Sequence, residues 1–318
     1  MKKAVIGIDI GGTNTKIGII DDKGETLYYN SISTCADKSV SLFFDSLEND
    51  LKPAIERIKD IEIIGAGIGA PNGNYYQGTI EFAPNLNWGD KVEFVKMFEE
   101  RFNIPAKITN DANAAAIGEM LFGEAQGVKD FIVITLGTGL GSGIVIDGKL
   151  VYGHDGFAGE LGHTNAVVNG RQCGCGRKGC LETYASATGI KRTIFELLAT
   201  MNEPSKLRDI SFNELESKDI YEAAKEGDPI ALRAFEYTGE LLGKKLADFV
   251  TFSSPKAIFL FGGLVHAGHF LFDPVIKHME ENMLVLFKNK VEVKPSGLMD
   301  KNAAVLGSAA LAWDEFGK

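Results

Sequence analysis

Cys173, Cys175 and Cys180 crowd into the stretch "RQCGCGRKGC", and His163 precedes the first of them by ten positions. Three thiolates and one imidazole form a donor set for tetrahedral Zn2+, and because they fill every position the metal would be structural rather than a Lewis acid. Gly174, Gly176 and Gly179 supply the tight turns that chelation needs. The C-x-C-x4-C spacing departs from the paired CxxC of zinc ribbons, and the alternative is three unrelated buried thiols. Cys35 stands apart and is assigned nothing.

A second chemistry lies in "VIGIDIGGTNTKIGIID" at residues 5–21, where Asp9, Gly11, Gly12 and Thr13 separate two apolar runs. The flanks read as paired strands, yet the turn is longer and richer in hydroxyls than a two-residue hairpin loop requires. The pattern returns in "FIVITLGTGLGSGIVIDGKL": Gly12-Thr13, Gly18-Ile19 and Asp22 recur at one constant offset as Gly137-Thr138, Gly143-Ile144 and Asp147. A repeat at that distance suits two domains built on one plan. Backbone N–H groups of glycine turns and threonine hydroxyls make an anion-binding concavity, so the pair suits a polyphosphate. Asp9 would then sit where a divalent cation, bridged through water, balances the charge. Purely structural hairpins remain the other explanation.

Asn110-Asp111 joins the strand "KIT" to the alanine-rich "DANAAAIGEM". Either residue makes a good helix N-cap. The junction also lies at the carboxyl end of a strand, where α/β sheets place their ligands, and a carboxylate there can take a proton from a hydroxyl. Sequence does not choose between the two roles. The loop "GAGIGAP" lacks the helix N-terminus that a dinucleotide fingerprint needs, which makes a dehydrogenase a poor fit.

These groups need a scaffold. The chain has 318 residues, 45% hydrophobic and 24% charged, enough for two medium cores. Its net charge of −10 and lack of a basic tract disfavour nucleic acid as a partner. There is neither a basic segment before an apolar one nor a run of about 18 apolar residues, so neither secretion nor a membrane span is expected, and the cytoplasm is the expected compartment. Helical spacing runs through "SVSLFFDSLENDLKPAIERI" and "KVEFVKMFEERFN", strands through "IEIIGAGIGAP" and "AKITN". Residues 195–228 carry no motif and predict helices only.

Together "DIGGTNTK", "ITNDANAAA", "LGTGLGSGIV", "GELGH" and "CGCGRKGCLE" resemble the ROK family of bacterial repressors, open-reading-frame proteins and sugar kinases, and within it the glucokinase branch. The resemblance runs from residue 4 to about 312. It implies a hexokinase/actin-like (RNase H-like) α/β fold with two related domains around a cleft: residues 1–112 completed by a C-terminal helix at 302–318, and residues 113–301. It also implies ATP and Mg2+ beside structural zinc, phosphorylation of a hexose, glucose before other hexoses or N-acetylhexosamines, a place in glycolysis, and a homodimer. By the same resemblance Asp111 matches a general base. Asn85, Asn110, Glu160, His163 and Glu182 match sugar contacts. Asp9, Gly11, Gly12, Thr13, Thr138, Gly139, Gly262 and Gly263 match the nucleotide site. Repressors of the family carry a helix-turn-helix domain in front, and Asp9 arrives too early to leave room for one.

Overall fold

The structure, a computed structural model, describes residues 2–299 and 302–318. Its contacts divide the chain into two compact units. The first takes the chain up to Val128, Lys149–Ala158 and everything from Gly297; the second takes Lys129–Gly148 and Gly159–Ser296.

In the first unit strands β1 (Lys2–Ile10), β2 (Asn14–Asp21) and β3 (Thr26–Ser33) form an antiparallel meander. Helix α1 (Val40–Arg57) returns the chain to β4 (Ile61–Gly69), parallel to β1. A small sheet follows, made of β5 (Gly73–Asn74), β6 (Thr79–Glu81) and β7 (Lys91–Val92), then α2 (Phe94–Phe102), β8 (Ala106–Thr109) and α3 (Asp111–Phe122). The five-stranded order is β3-β2-β1-β4-β8. Helix α2 starts later than the spacing of "KVEFVKMFEERFN" predicts, because Lys91 and Val92 pair with β6 instead.

Apolar side chains every second residue on β1 and β2 drive this layer. Ile6, Ile8, Ile17 and Ile19 are fully buried together with Phe43, Phe44, Phe94 and Phe98. Each such side chain contributes about 1.5–3 kcal/mol on burial. Where β1 and β4 carry glycines, helix α8 (Ala303–Phe316) comes close to the sheet. A Cβ on Gly67 would stand 1.8 Å from the Ser308 carbonyl oxygen, and one on Gly7 2.4 Å from that of Val305. The helix therefore docks only against bare backbone. Helix α3 packs on the same α8, with Gly307 facing Gly118. That contact keeps α3 in the first unit, so the division falls after Val128 rather than at residue 112. The expected boundary at residue 301 lies outside the described residues. A short strand, β11 (Lys149–Leu150), belongs to this unit's inserted segment, where Tyr152 stacks on Tyr75 with ring centroids 3.9 Å apart.

The second unit opens with the same move. Strands β9 (Phe131–Leu136) and β10 (Leu140–Ile146) form an antiparallel hairpin, and β9 then pairs in parallel with β12 (Ala257–Phe261), which pairs with β13 (Glu292–Pro295). Helices α4 (Ala187–Thr200), α5 (Ser217–Lys225), α6 (Pro229–Ser253) and α7 (His269–Asn282) complete it. Asp228 caps α6 ahead of Pro229, accepting the N–H groups of Ile230 and Ala231. Among the described residues, no helix is long and apolar enough to cross a membrane.

Candidate functional site

In the first unit, strand register assembles the chemistry. Asp9 on β1 lies opposite Gly69 on β4, and Gly69 lies opposite Thr109 on β8, so one row of carboxyl-terminal strand ends carries Asp9 and leads, two residues past Thr109, to Asp111. The two acids interact. Burial, then the charge of Asp111, pushes the Asp9 carboxyl up to about 6, with Lys16 across the hairpin pulling the other way. Asp111 is open to solvent by surface area, yet the protein packed around it raises its carboxyl too, against the backbone donors at Ala112 and at its own position.

The helix cap falls to Asn110. Its Oδ1 accepts the N–H of Ala112 at 2.7 Å and that of Asn113 at 3.3 Å. Asp111 becomes the first helical residue, where an acid is favoured by the helix dipole. Its Oδ1 shares the Ala112 N–H at 2.8 Å. A carboxylate that shares one N–H with the cap residue and is set at a strand end is able to hold or take a proton. The glycine turn begins two residues after Asp9: Gly11 donates its N–H to the Asn14 carbonyl at 3.1 Å, and Thr13 is exposed. Gly12 backs onto Asn85, since a Cβ there would meet the Asn85 Cβ at 3.1 Å. Asp9, Gly11, Gly12, Thr13, Asn85, Asn110 and Asp111 thus all belong to one unit.

In the second unit, the turn Gly137–Gly139 leaves Thr138 exposed, and Gly139 lies against Glu182, whose Oε2 would be 2.7 Å from an added Cβ. The same Glu182 reaches the cysteine cluster. Its Oε1 accepts from Cys173 Sγ at 2.8 Å and stands 3.6 Å from His163 Nδ1. His163 turns Nδ1 toward Cys173 Sγ at 3.7 Å and Nε2 toward a Glu160 oxygen at 3.9 Å. Cys175 and Cys180 sulfurs are 3.7 Å apart, and the four ligand atoms of His163, Cys173, Cys175 and Cys180 all lie within 4.8 Å of one another. A tetrahedron with Zn–S bonds near 2.3 Å has edges of about 3.8 Å, so the donor set fits zinc in both chemistry and spacing. Burial, then the bond to Glu182, raises the Cys173 thiol. Converting that thiol to a thiolate would remove the donor that Glu182 now uses and set a negative charge beside it, so occupancy of the cluster and the pose of Glu182 are linked.

Residues that sequence reasoning passed over complete this half. Arg171 is buried and uses all its donors: Nε and Nη2 grip Glu196 at 2.8 and 2.6 Å, Nη1 reaches the carbonyls of Thr183 and Gly189, and Nη2 the hydroxyl of Thr193. It fastens the cysteine loop and the turn bearing Glu182 onto α4 without any metal. Farther along, Gly262 has φ +111° and would put a Cβ 2.6 Å from the Leu136 carbonyl oxygen, so the Gly262-Gly263 turn packs backbone on backbone against the end of β9. Beside it lies a cavity of about 310 Å³ lined by Gly263, Leu264 and His266 and, from α5, by Lys218, Tyr221 and Glu222. The motif-free region thus has a place. Its helix is marked in sequence by the reciprocal cap between Glu216 and Asp219.

The ROK family pattern matches residues 5–315. A glucokinase of Streptomyces coelicolor is 34% identical over 313 residues, covering 96% of each chain. A xylose repressor of Caldicellulosiruptor bescii is 33% identical, covering 97% of this chain and 77% of its own. The crystal structure of a ROK family glucokinase from Streptomyces griseus in complex with glucose and AMPPNP superposes with a TM-score of 0.82 at 35% identity, covering 98% of this chain and 99% of that one. The architecture is the hexokinase/actin-like α/β fold that the motifs led one to expect. With a family match across nearly its whole length and relatives above 30% identity, the chain belongs to the ROK family.

Proposed function

We propose that the chain is an ATP-dependent hexose kinase that transfers the terminal phosphoryl group to the 6-hydroxyl of glucose. The observation that carries this is the division of labour at the start of α3: Asn110 takes the N–H groups of Ala112 and Asn113, which leaves the Asp111 carboxylate at a strand end sharing only the first of them. Asp111 acts as general base toward the sugar hydroxyl, and Asn110 offers its remaining amide N–H groups. Asn85, Glu160, His163 and Glu182 bind the other hydroxyls, which suits a polyol because carboxylates accept and amides donate. Gly11, Gly12, Thr13, Thr138 and Gly139 hold phosphate oxygens. The Gly262-Gly263 turn and the cavity next to it take the adenosine.

Phosphoryl transfer asks the protein to align donor and acceptor and to balance charge. Asp9 is the residue suited to hold Mg2+ through water, since a carboxylate raised by burial and a like-charged neighbour gains most from a cation. Bound there, the ion would neutralise charge on the phosphates. The xylose-repressor relatives support a second reading, a sugar-sensing regulator, which binds sugar but transfers nothing. A coupled ADP-release assay separates the two, with a duplex-DNA titration as the other arm. A homodimer is part of the proposal, by family.

Three outcomes are expected. Across a panel of glucose, fructose, allose, mannose, N-acetylmannosamine and N-acetylglucosamine, kcat/KM is highest for glucose; a higher value for any other sugar reassigns the substrate, and no ADP release with any of them removes the kinase. The Asp9 carboxyl carbon, followed by NMR without Mg2+, titrates near pH 6, so its proton is held through mildly acidic pH and the stability it brings is lost as pH rises through that midpoint. Asp111→Asn and Mg2+ each lower the midpoint; an ordinary value near 4 unmoved by Asp111→Asn would break the coupling of the two acids. Finally, stripping zinc or replacing Cys175 with Ser weakens glucose binding roughly 100-fold and AMPPNP binding little, read by calorimetry, because displacing a positioning group by about 1 Å costs that order. Equal loss of both ligands would make the zinc a device of global stability.

A further inference from the structure

Thr34, the residue after β3, is fully buried, as is Thr15 on β2. Both donors of Thr34 go to the first glycine turn: its N–H to the Thr13 carbonyl at 2.9 Å and its Oγ1 to the Gly11 carbonyl at 2.7 Å. A hydroxyl has one proton, and that of Thr34 is spent on Gly11, so in the 2.9 Å contact between the two hydroxyls Thr15 is the donor. A directed chain therefore runs from Thr15 to Thr34 to the Gly11 carbonyl, under the turn and away from solvent. On its far side the segment is tied down as well, for the Ala36 carbonyl accepts the Asn87 N–H at 2.8 Å.

The consequence lies in the Gly11–Gly12 peptide plane. In a planar trans peptide the N–H of Gly12 points opposite to the carbonyl of Gly11. With that carbonyl held inward by Thr34, the Gly12 N–H is turned outward. Glycines resist neither orientation, because they have no Cβ to restrict rotation. Released from Thr34, the same plane can turn over and present a carbonyl oxygen where a donor stood, which repels an anion.

We propose that Thr34 is a positioning residue for the nucleotide: through Gly11 it aims the Gly12 N–H at a phosphate oxygen, with Thr15 completing its hydrogen bonding from behind. This rests on the reading of the first hairpin as a phosphate turn. Thr34→Val keeps the shape and the backbone bond but removes the hydroxyl, leaving the Gly11 carbonyl and the Thr15 proton without their partner. Thr34→Ser keeps the hydroxyl and loses only a methyl.

The test compares steady-state kinetics of the two variants and follows the Gly12 amide by 15N NMR as AMPPNP is added. For Thr34→Val the KM for ATP rises roughly tenfold, the order expected for a buried polar group left unpaired, while the KM for glucose stays within about twofold. Thr34→Ser restores the ATP value. Circular dichroism and the unchanged glucose KM show that the Val variant is folded; if it does not fold, Thr15→Val replaces it, with the same direction and a smaller effect. A Gly12 amide that shifts with AMPPNP in the parent protein, alongside an unchanged KM for ATP in Thr34→Val, overturns the proposal and leaves the phosphate turn standing. Equal weakening of ATP and glucose, unrescued by Ser, overturns it as well, by making Thr34 a packing residue. A Gly12 amide blind to AMPPNP in the parent protein overturns the phosphate reading itself and the proposal with it.

Discussion

Two carboxylates that repel each other are held close by strand register. Asp9 is the residue before the last of β1, Asp111 follows β8, and the hydrogen-bonded ladder through Gly69 of β4 fixes the distance between their strands. The sheet cannot relax this repulsion without breaking ladder bonds. The repulsion adds to burial, the larger cause, in raising the Asp9 carboxyl to about 6. Elements around the pair bear on it: Lys16 stands across the hairpin, and Asn110 satisfies the first N–H groups of α3. An acid pair without full ion pairs is expensive to maintain and serves best where charge must be balanced and a proton moved.

The same sheet is held on its other side by α8. Helix and strands meet at glycines because any side chain at Gly67 would collide with the Ser308 carbonyl. The last helix of the chain is thus part of the first unit's layer order, and the residues that set the acids in register depend on the chain's carboxyl end. Ser308 is also fully buried and returns its hydroxyl to the Ala304 carbonyl at 3.0 Å, so its own polar atom is satisfied within the helix.

Much of this was legible in the sequence. The apolar runs around the first glycine turn announced β1 and β2, the recurrence of that turn announced the second hairpin of β9 and β10, and the spacing of Cys173, Cys175, Cys180 and His163 announced a cluster whose ligand atoms do lie together. What could not be read depends on contacts between distant segments. Whether Asn110 or Asp111 caps α3 turns on backbone angles that both residues tolerate. Arg171 looks like any surface arginine until Glu196, Thr183, Gly189 and Thr193 converge on it from a helix and a turn that follow it in the chain. Helix α5 has no motif because lining a cavity with Tyr221 and Lys218 needs shape rather than a signature. The late start of α2 has a similar origin, since pairing of Lys91 and Val92 with β6 outweighs a helical spacing that those two residues share.

The central claim is that the Asp111 carboxylate, next to the capping Asn110, moves the proton of the reacting hydroxyl. Asp111→Asn tests it most directly, because the amide keeps size and hydrogen bonding while losing basicity. The measurement is kcat for glucose phosphorylation beside the glucose Kd from calorimetry. Removing a general base lowers kcat by about 10²–10⁴-fold, while the Kd stays within roughly tenfold. A variant that keeps more than about a tenth of the parent kcat would contradict the account and return Asp111 to the role of a first-turn acid that only favours the helix.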